Sequence, residues 1–331
     1  MPTKFKLILG LFLLGTLVSG AVLVSDVQDN ESITLRVAHV NDPTHTAHKA
    51  LLYFKEELAK VSNGKIDLEV YASSQLGSER DSIELLQIGS LAMSTISVGP
   101  LESFVPEMQV FSLPYVFEDK AHFWRVAYSD LGQELLESPL SVDLRGLGFF
   151  EYGSRSFYTC NKPISAPEEL EGMKIRVMKS QSAVALMEEL GASATPISYG
   201  ELYTALQQGV VDGAENSPVS FYKARHFEIC RNFTLDEHNT IPGLVLFSEK
   251  IWQQLSAEQQ AWLRSAMYKT VLFQRELWES DTQAALAALK ADGVNIIYPD
   301  KAPFREAVVD FKASFKGTPI GDILDRIEAQ R

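Results

Sequence analysis

The sequence predicts an α/β protein built from two strand–helix blocks, and three observations carry that prediction. Residues 33–98 alternate between patterns of period two and period 3.6, giving strand, helix, strand, helix, strand. The same alternation resumes at about residue 173. A helical stripe then runs over 256–291, and 36 residues at 1.5 Å each reach about 54 Å, more than the width of one small domain. Alternating strands and helices are the pattern of parallel α/β units.

The bulk numbers bound the reading. A chain of 331 residues, 46% hydrophobic, sustains a large core and two domains. A formal net charge of −13 argues against nucleic acid and anionic membrane surfaces as partners. An anionic ligand gains nothing from the overall field, so a local set of arginine and amide donors must select it. The N-terminus reads as an export signal: Lys4 and Lys6 precede the apolar run 7–24, and Val18-Ser19-Gly20 offers small residues near a cleavage point. A signal peptide is expected over 1–25 and the periplasm as destination, with an uncleaved anchor as the alternative. Cys160 and Cys230 are the only cysteines, and both a pair and two buried thiols stay open.

The elements follow in order. The strand at 33–40 is broken by Asn41-Asp42-Pro43. The helix at 46–62 carries Leu51, Phe54, Leu58 and Val61 on one face, and Asn63-Gly64 closes it. A strand at 65–71, a helix at 77–88 and a strand at 91–98 complete the first block. The stretch 99–118 is irregular but too rich in aromatic surface for a loose loop, so it is expected to pack. A helix at 121–136 precedes strands at 144–152 and 155–161. The second block opens with a strand at 173–178 and a helix at 182–190. A helix at 198–208 follows, where Ser198 and Glu201 match a capping box. Extended runs are expected at 210–216, 227–234 and 244–247. The long helix opens on a second capping-box pair, Ser256 and Gln259, and its stripe runs Leu263, Met267, Val271, Trp278, Ala285, Leu289. Residues 303–329 read as helical.

Arg176 sits mid-strand in Lys174-Ile175-Arg176-Val177-Met178, on the opposite face from Ile175 and Val177. Such an arginine is either solvated or a fixed planar fork facing a carboxylate. Catalytic patterns are missing. Gly146-Leu147-Gly148 lacks the third glycine and the following helix of a phosphate loop, and no serine elbow or zinc-protease motif occurs. His39, His45 and His48 with Asp42 are too loosely spaced for a metal site and read as solvated or pocket-lining. No cofactor, no metal and no catalysis are expected.

Three stretches taken together are informative: Gln75-Leu76-Gly77-Ser78-Glu79-Arg80, then 172–178, then 203–216 ending in Asp212-Gly213-Ala214-Glu215-Asn216. They resemble the DctP-type extracytoplasmic substrate-binding proteins of tripartite ATP-independent periplasmic (TRAP) transporters, and the likeness runs from residue 33 to about 319. The resemblance implies a two-domain periplasmic-binding-protein-like fold with a cleft between the domains and a long helix spanning both. It implies domain I over 30–152 and 242–281 and domain II over 153–241 and 282–331. It places the substrate carboxylate on Arg176, assisted by Arg155 and Asn216. It places Glu79, Ser97, His39 and Asn41 against the rest of the ligand, with Tyr199 against an apolar face. The family's usual glutamine is Ala214 here. The sialic-acid branch has an arginine after the third strand where this chain has Pro100, which disfavours sialic acid.

The function implied is capture of a small organic acid by a monomer and its delivery to TRAP membrane permease subunits. A sugar acid such as a uronate or aldonate is favoured over a C4-dicarboxylate. Only Arg80 stands near enough to meet a second carboxylate, whereas Glu79, Asn41, His39 and Ser97 offer hydroxyl partners. A sensor component for a membrane kinase, or a periplasmic hydrolase or lyase, are the alternatives.

Overall fold

The computed structural model describes residues 32–331, so the expected signal peptide lies outside the described residues. The strands in chain order are β1 (Ile33–Ala38), β2 (Ile66–Tyr71), β3 (Met93–Ser97), β4 (Leu144–Phe150), β5 (Ser154–Thr159), β6 (Lys174–Val177), β7 (Ser193–Pro196), β8 (Gly213–Asn216), β9 (Asn232–Thr240), β10 (Gly243–Ser248) and β11 (Asn295–Ile297). They form two sheets, β2-β1-β3-β10-β4 and β11-β9-β5-β8-β6-β7. The helices Thr46–Val61 and Glu79–Gln87 connect β1, β2 and β3 as the alternation predicted, and β1 pairs in parallel with both neighbours.

The sheets are mixed rather than wholly parallel. β10 lies antiparallel between β3 and β4, and β5 lies antiparallel to β8 and β9. The chain passes between the sheets directly, from β4 to β5 through 151–153 and from β9 to β10 through 241–242. Neither passage carries the crossover helix that parallel pairing requires. Gly153 turns the first passage at φ +69°, and a Cβ there would sit 3.0 Å from Trp278 Nε1. Both the left-handed backbone and the close indole favour glycine.

The long helix, Ala257–Ala291, opens on the expected capping box of Ser256 and Gln259. At 35 residues it is about 52 Å long. Leu263, Met267, Val271 and Trp278 belong to the core of the first sheet. Leu289 belongs to a core of the second, with Tyr158, Leu202, Phe221 and Phe233. One element is therefore anchored in both cores.

Several local expectations change. The helix expected at 121–136 is two, Lys120–Ala127 and Asp130–Glu137, because Ser129 caps the second by accepting from Gly132 N–H. Ser198 makes no side-chain cap bond. The run at 227–234 divides into a tight turn, His226–Glu228, and the start of β9. The short strands β7 and β11 carry too little pattern to be read from sequence. The irregular stretch 99–118 does pack, with Phe111 and Leu113 buried. The helical tail ends in Pro319–Glu328, whose Ile320, Leu324 and Ile327 join the core of the first sheet. Cys160 and Cys230 form a disulfide in the second core.

Candidate ligand-binding site

Three neighbouring strands of the second sheet bring the expected carboxylate-binding residues together. Arg155 comes from β5, Asn216 from the end of β8 and Arg176 from β6. Arg176 is in register with Ala214, a small residue that leaves room beside it. All three side chains are buried, Arg176 to 2% exposure.

Their hydrogen bonds differ sharply. Arg176 donates from Nε to the Ile197 carbonyl at 2.8 Å, and its buried Nη1 has no partner among the described residues. Tyr199 lies with its ring 6.0 Å from the guanidinium. Burial lowers the Arg176 pKa, opposed by Tyr158 and Glu215. Arg155, by contrast, is engaged by the protein at all three of its nitrogens. Its Nε and Nη2 grip the Glu215 carboxylate, the second bond at 2.9 Å, Nη2 also donates to the Glu215 carbonyl at 2.8 Å, and Nη1 donates to Asn216 Oδ1 at 3.1 Å. Burial opposes its charge, but Glu215 outweighs it and the pKa rises.

Behind Arg155 stands a line of alternating charges. His238 Nδ1 contacts Asp236 Oδ2 at 2.7 Å, and its Nε2 lies 3.7 Å from Glu215 Oε2. Asp236 also accepts from Phe157 N–H at 3.1 Å. Burial works against the imidazolium, yet the two carboxylates raise His238 to about 9. Burial likewise works against Glu215, yet Arg155 and His238 hold it at about 2. Asp236, His238, Glu215 and Arg155 thus pair off, and Arg176 is the wall's uncancelled charge. Asn216 is oriented by the same set: its Oδ1 accepts from Arg155 and from Ser217 N–H at 2.8 Å, which turns its amide donors the other way.

The first sheet supplies the facing wall. Glu79 begins its helix and accepts from Ser97 N–H at 2.6 Å. Burial raises its pKa, while Ser97 and Arg176 pull it down. Asn41 follows β1, and Ser220 joins from the helix Pro218–Lys223. Arg155, Arg176, Asn216, Glu79, Asn41, Ser97 and Tyr199 all line one small cavity. His39 is not among the lining residues. Its ring turns to His48, with Nε2 and Nδ1 2.9 Å apart, and burial lowers it to about 4. His45 caps its own helix through Nδ1, which accepts from Ala47 N–H at 3.1 Å. Its Nε2 faces Ser220 Oγ at 3.3 Å.

Sequence reasoning missed Tyr152, Ser220, Met178 and Val40 in the lining, and Glu215, Asp236 and His238 behind it. Asp236 and His238 are two apart on a strand and so share a face, a signal that was available. A buried arginine requires a counter-ion, and Glu215, next to Asn216 in the sequence, supplies it for Arg155. A wider hollow lies over β4 between Trp124 and Arg264 and contains none of the expected residues. The smaller cavity is the better candidate, because it holds the buried donor without a partner.

The family model DctP, bacterial extracellular solute-binding protein, family 7, matches residues 37–316. A crystal structure of a TRAP periplasmic solute binding protein from Xanthobacter autotrophicus Py2 with bound β-D-galacturonate is similar at TM-score 0.87 and 38% identity, covering 90% of this chain and 100% of that one. The sugar acid binding protein DctPAm from Advenella mimigardefordensis, in complex with galactonate, is similar at TM-score 0.88 and 28% identity, covering 92% and 100%. The C4-dicarboxylate-binding periplasmic protein DctP of Rhodobacter capsulatus is 30% identical over 306 residues, 91% of this chain and 89% of that protein.

Proposed function

This chain belongs to the bacterial extracellular solute-binding proteins of family 7, and on that premise we propose that it captures a sugar acid, a hexuronate or aldonate, through Arg176. The observation that carries the proposal is the buried Arg176 guanidinium with an unpartnered Nη1, opening on a cavity whose other wall bears Glu79, Ser97 and Asn41. The carboxylate takes parallel bonds from Arg176, with the Asn216 amide and Arg155 beside it. Enclosure removes water and strengthens each bond. Glu79, Ser97 and Asn41 then meet hydroxyls. A C4-dicarboxylate fits less well, because its second carboxylate would approach Glu79. Arg80 lines not this cavity but the adjoining hollow beside Glu79 and Arg176, where it is half-exposed and paired with Glu84 at 3.2 Å.

The ligand is released unaltered to TRAP membrane permease subunits, and the chain acts as a monomer after export directed by residues 1–25. The bodies that close on the ligand are 30–152 with 242–281 and 153–241 with most of 282–331, apart from the last helix. Packing of Ile320, Leu324 and Ile327 in the first core supports carrying the helix Pro319–Glu328 with the first body.

Calorimetric titration of the mature chain with D-galacturonate, D-galactonate and succinate tests the reading. A sugar acid should bind well ahead of succinate and be recovered unchanged by chromatography. A ligand at 100 times its Kd should add about 2.7 kcal/mol of stability. Binding of succinate alone, or conversion of the sugar acid, would refute the proposal.

A further inference from the structure

Tyr152 lies in the passage from β4 to β5 and is fixed on three sides. Its ring stacks on Trp278 of the long helix, centroids 5.9 Å apart and planes 21° apart. It meets His45 edge-on at 5.9 Å. It also lies over Gly243, where a Cβ would come within 2.6 Å of Tyr152 Cζ. The ring therefore has little freedom, and packing aims its hydroxyl. Tyr152 lines the same cavity as Arg176, Asn41 and Glu79.

The Tyr152 hydroxyl is buried with the Thr95 and Asn41 side chains close beside it, yet neither completes a hydrogen bond of good geometry to it among the described residues. Thr95 Oγ1 is likewise buried and unpartnered. Thr95 is on β3 two positions from Ser97, on the same strand face, and these two residues register with Val245 and Gly243. Burial raises the Tyr152 hydroxyl above its ordinary range, with Thr95 and Asn41 working against that, so it stays protonated. It can then both donate and accept. A buried hydroxyl without a partner costs stability until something hydrogen-bonds it. In a cavity bearing a carboxylate anchor, the group that does so comes with the ligand.

We infer that Tyr152, with Thr95 behind it, reads a hydroxyl of the bound acid and so separates polyhydroxylated acids from analogues lacking that hydroxyl. This rests on the sugar-acid reading above and names a residue that sets its specificity. A site that hydrogen-bonds a hydroxyl rejects the deoxy analogue, because the buried partner is then left unpaired.

The test titrates the parent chain, Tyr152→Phe, Thr95→Val and Arg176→Ala with D-galacturonate, D-glucuronate and the monodeoxy forms of whichever binds the parent. Tyr152→Phe should keep the parent's melting temperature and bind the uronate about tenfold more weakly. One deoxy form should bind the parent and Tyr152→Phe equally, because it lacks the group that Tyr152 reads. Thr95→Val should lose less, in the same pattern. Unchanged uronate affinity in Tyr152→Phe, with binding lost in Arg176→Ala, would overturn the inference and leave the sugar-acid reading standing. An equal loss for the uronate and every deoxy form would also overturn it, since the ring would then matter only for packing. If no uronate bound the parent, the reading beneath would fall and this inference with it.

Discussion

Arg155 and Arg176 are two buried guanidiniums on one wall of one cavity, and their hydrogen bonds differ in kind. Arg155 spends its donors on Glu215 and Asn216 and belongs to a line of charges that cancel in pairs. Arg176 makes one bond to the protein and keeps Nη1 unpartnered. The first arrangement stabilises the fold and fixes a surface. The second is costly to keep buried and would be relieved by the carboxylate proposed to bind there. The contrast separates what folding needs from what binding needs, residue by residue, and it can be broken from either side.

The largest effect is expected on the folding side. Glu215→Ala leaves Arg155 and His238 buried without their shared anion, and breaking a buried pair costs about 3–5 kcal/mol. Chemical denaturation should show a loss of that size. A loss under about 1 kcal/mol would mean that water satisfies Arg155 instead.

Arg176→Ala should do the opposite. It removes a desolvated cation that the fold barely pairs, so the midpoint of unfolding should stay level or rise. Binding of the sugar acid should fall by about 2–5 kcal/mol. Arg176→Lys keeps the charge but loses the fork and should also bind worse. A variant that unfolds early, yet binds when folded, would exchange the roles of the two arginines.

Asn216 lies between the two regimes. Its oxygen is held by Arg155 and Ser217, which turns its amide donors away from them, toward the place proposed for the ligand. Asn216→Ala should weaken binding by about 1–3 kcal/mol. Asn216→Asp should weaken it further, because a carboxylate would then face the ligand's own. Equal affinity in Asn216→Asp would place the carboxylate elsewhere.

Much of this was legible in the sequence, for physical reasons that also mark where legibility ended. The long helix could be assigned to both cores from its length, since no small domain contains about 52 Å of helix. The strand pattern set Arg176 opposite Ile175 and Val177 but left a solvated face open, and only the family resemblance pointed it to a carboxylate. Seven of the eight expected site residues share the cavity lining. His39, placed there by the family resemblance, does not, because its ring turns to pair with His48. The line through Glu215, His238 and Asp236 was hidden, since it depends on β5, β8 and β9 lying side by side. Strand order is set by the two direct passages between sheets, which no local pattern announces. Tyr152 was hidden for the same reason, because its partners Gly243 and Trp278 are remote in sequence.

The smallest expected effect tests the charge line from its far end. His238 is raised to about 9 in the folded chain, well above its ordinary 6.5. A group whose folded pKa is raised contributes stability that is full below the unfolded pKa and fades as pH climbs through the folded one. The contribution of His238 is therefore complete below about pH 6.5 and lost toward pH 9. His39, His45 and His226 have the opposite sign. Burial is the largest cause holding each of them low, at about 4, 3 and 3. They contribute stability above pH 6.5 and lose it as the pH falls. Melting temperature across pH 6.5 to 9 should decline in the parent and decline less in His238→Gln, which starts lower. Because His238 reaches Arg155 only through Glu215, uronate affinity in the folded variant should change little at pH 6.5. Parallel stability curves for parent and variant would show that His238 is neutral in the fold, and the alternating charges would then end at Glu215.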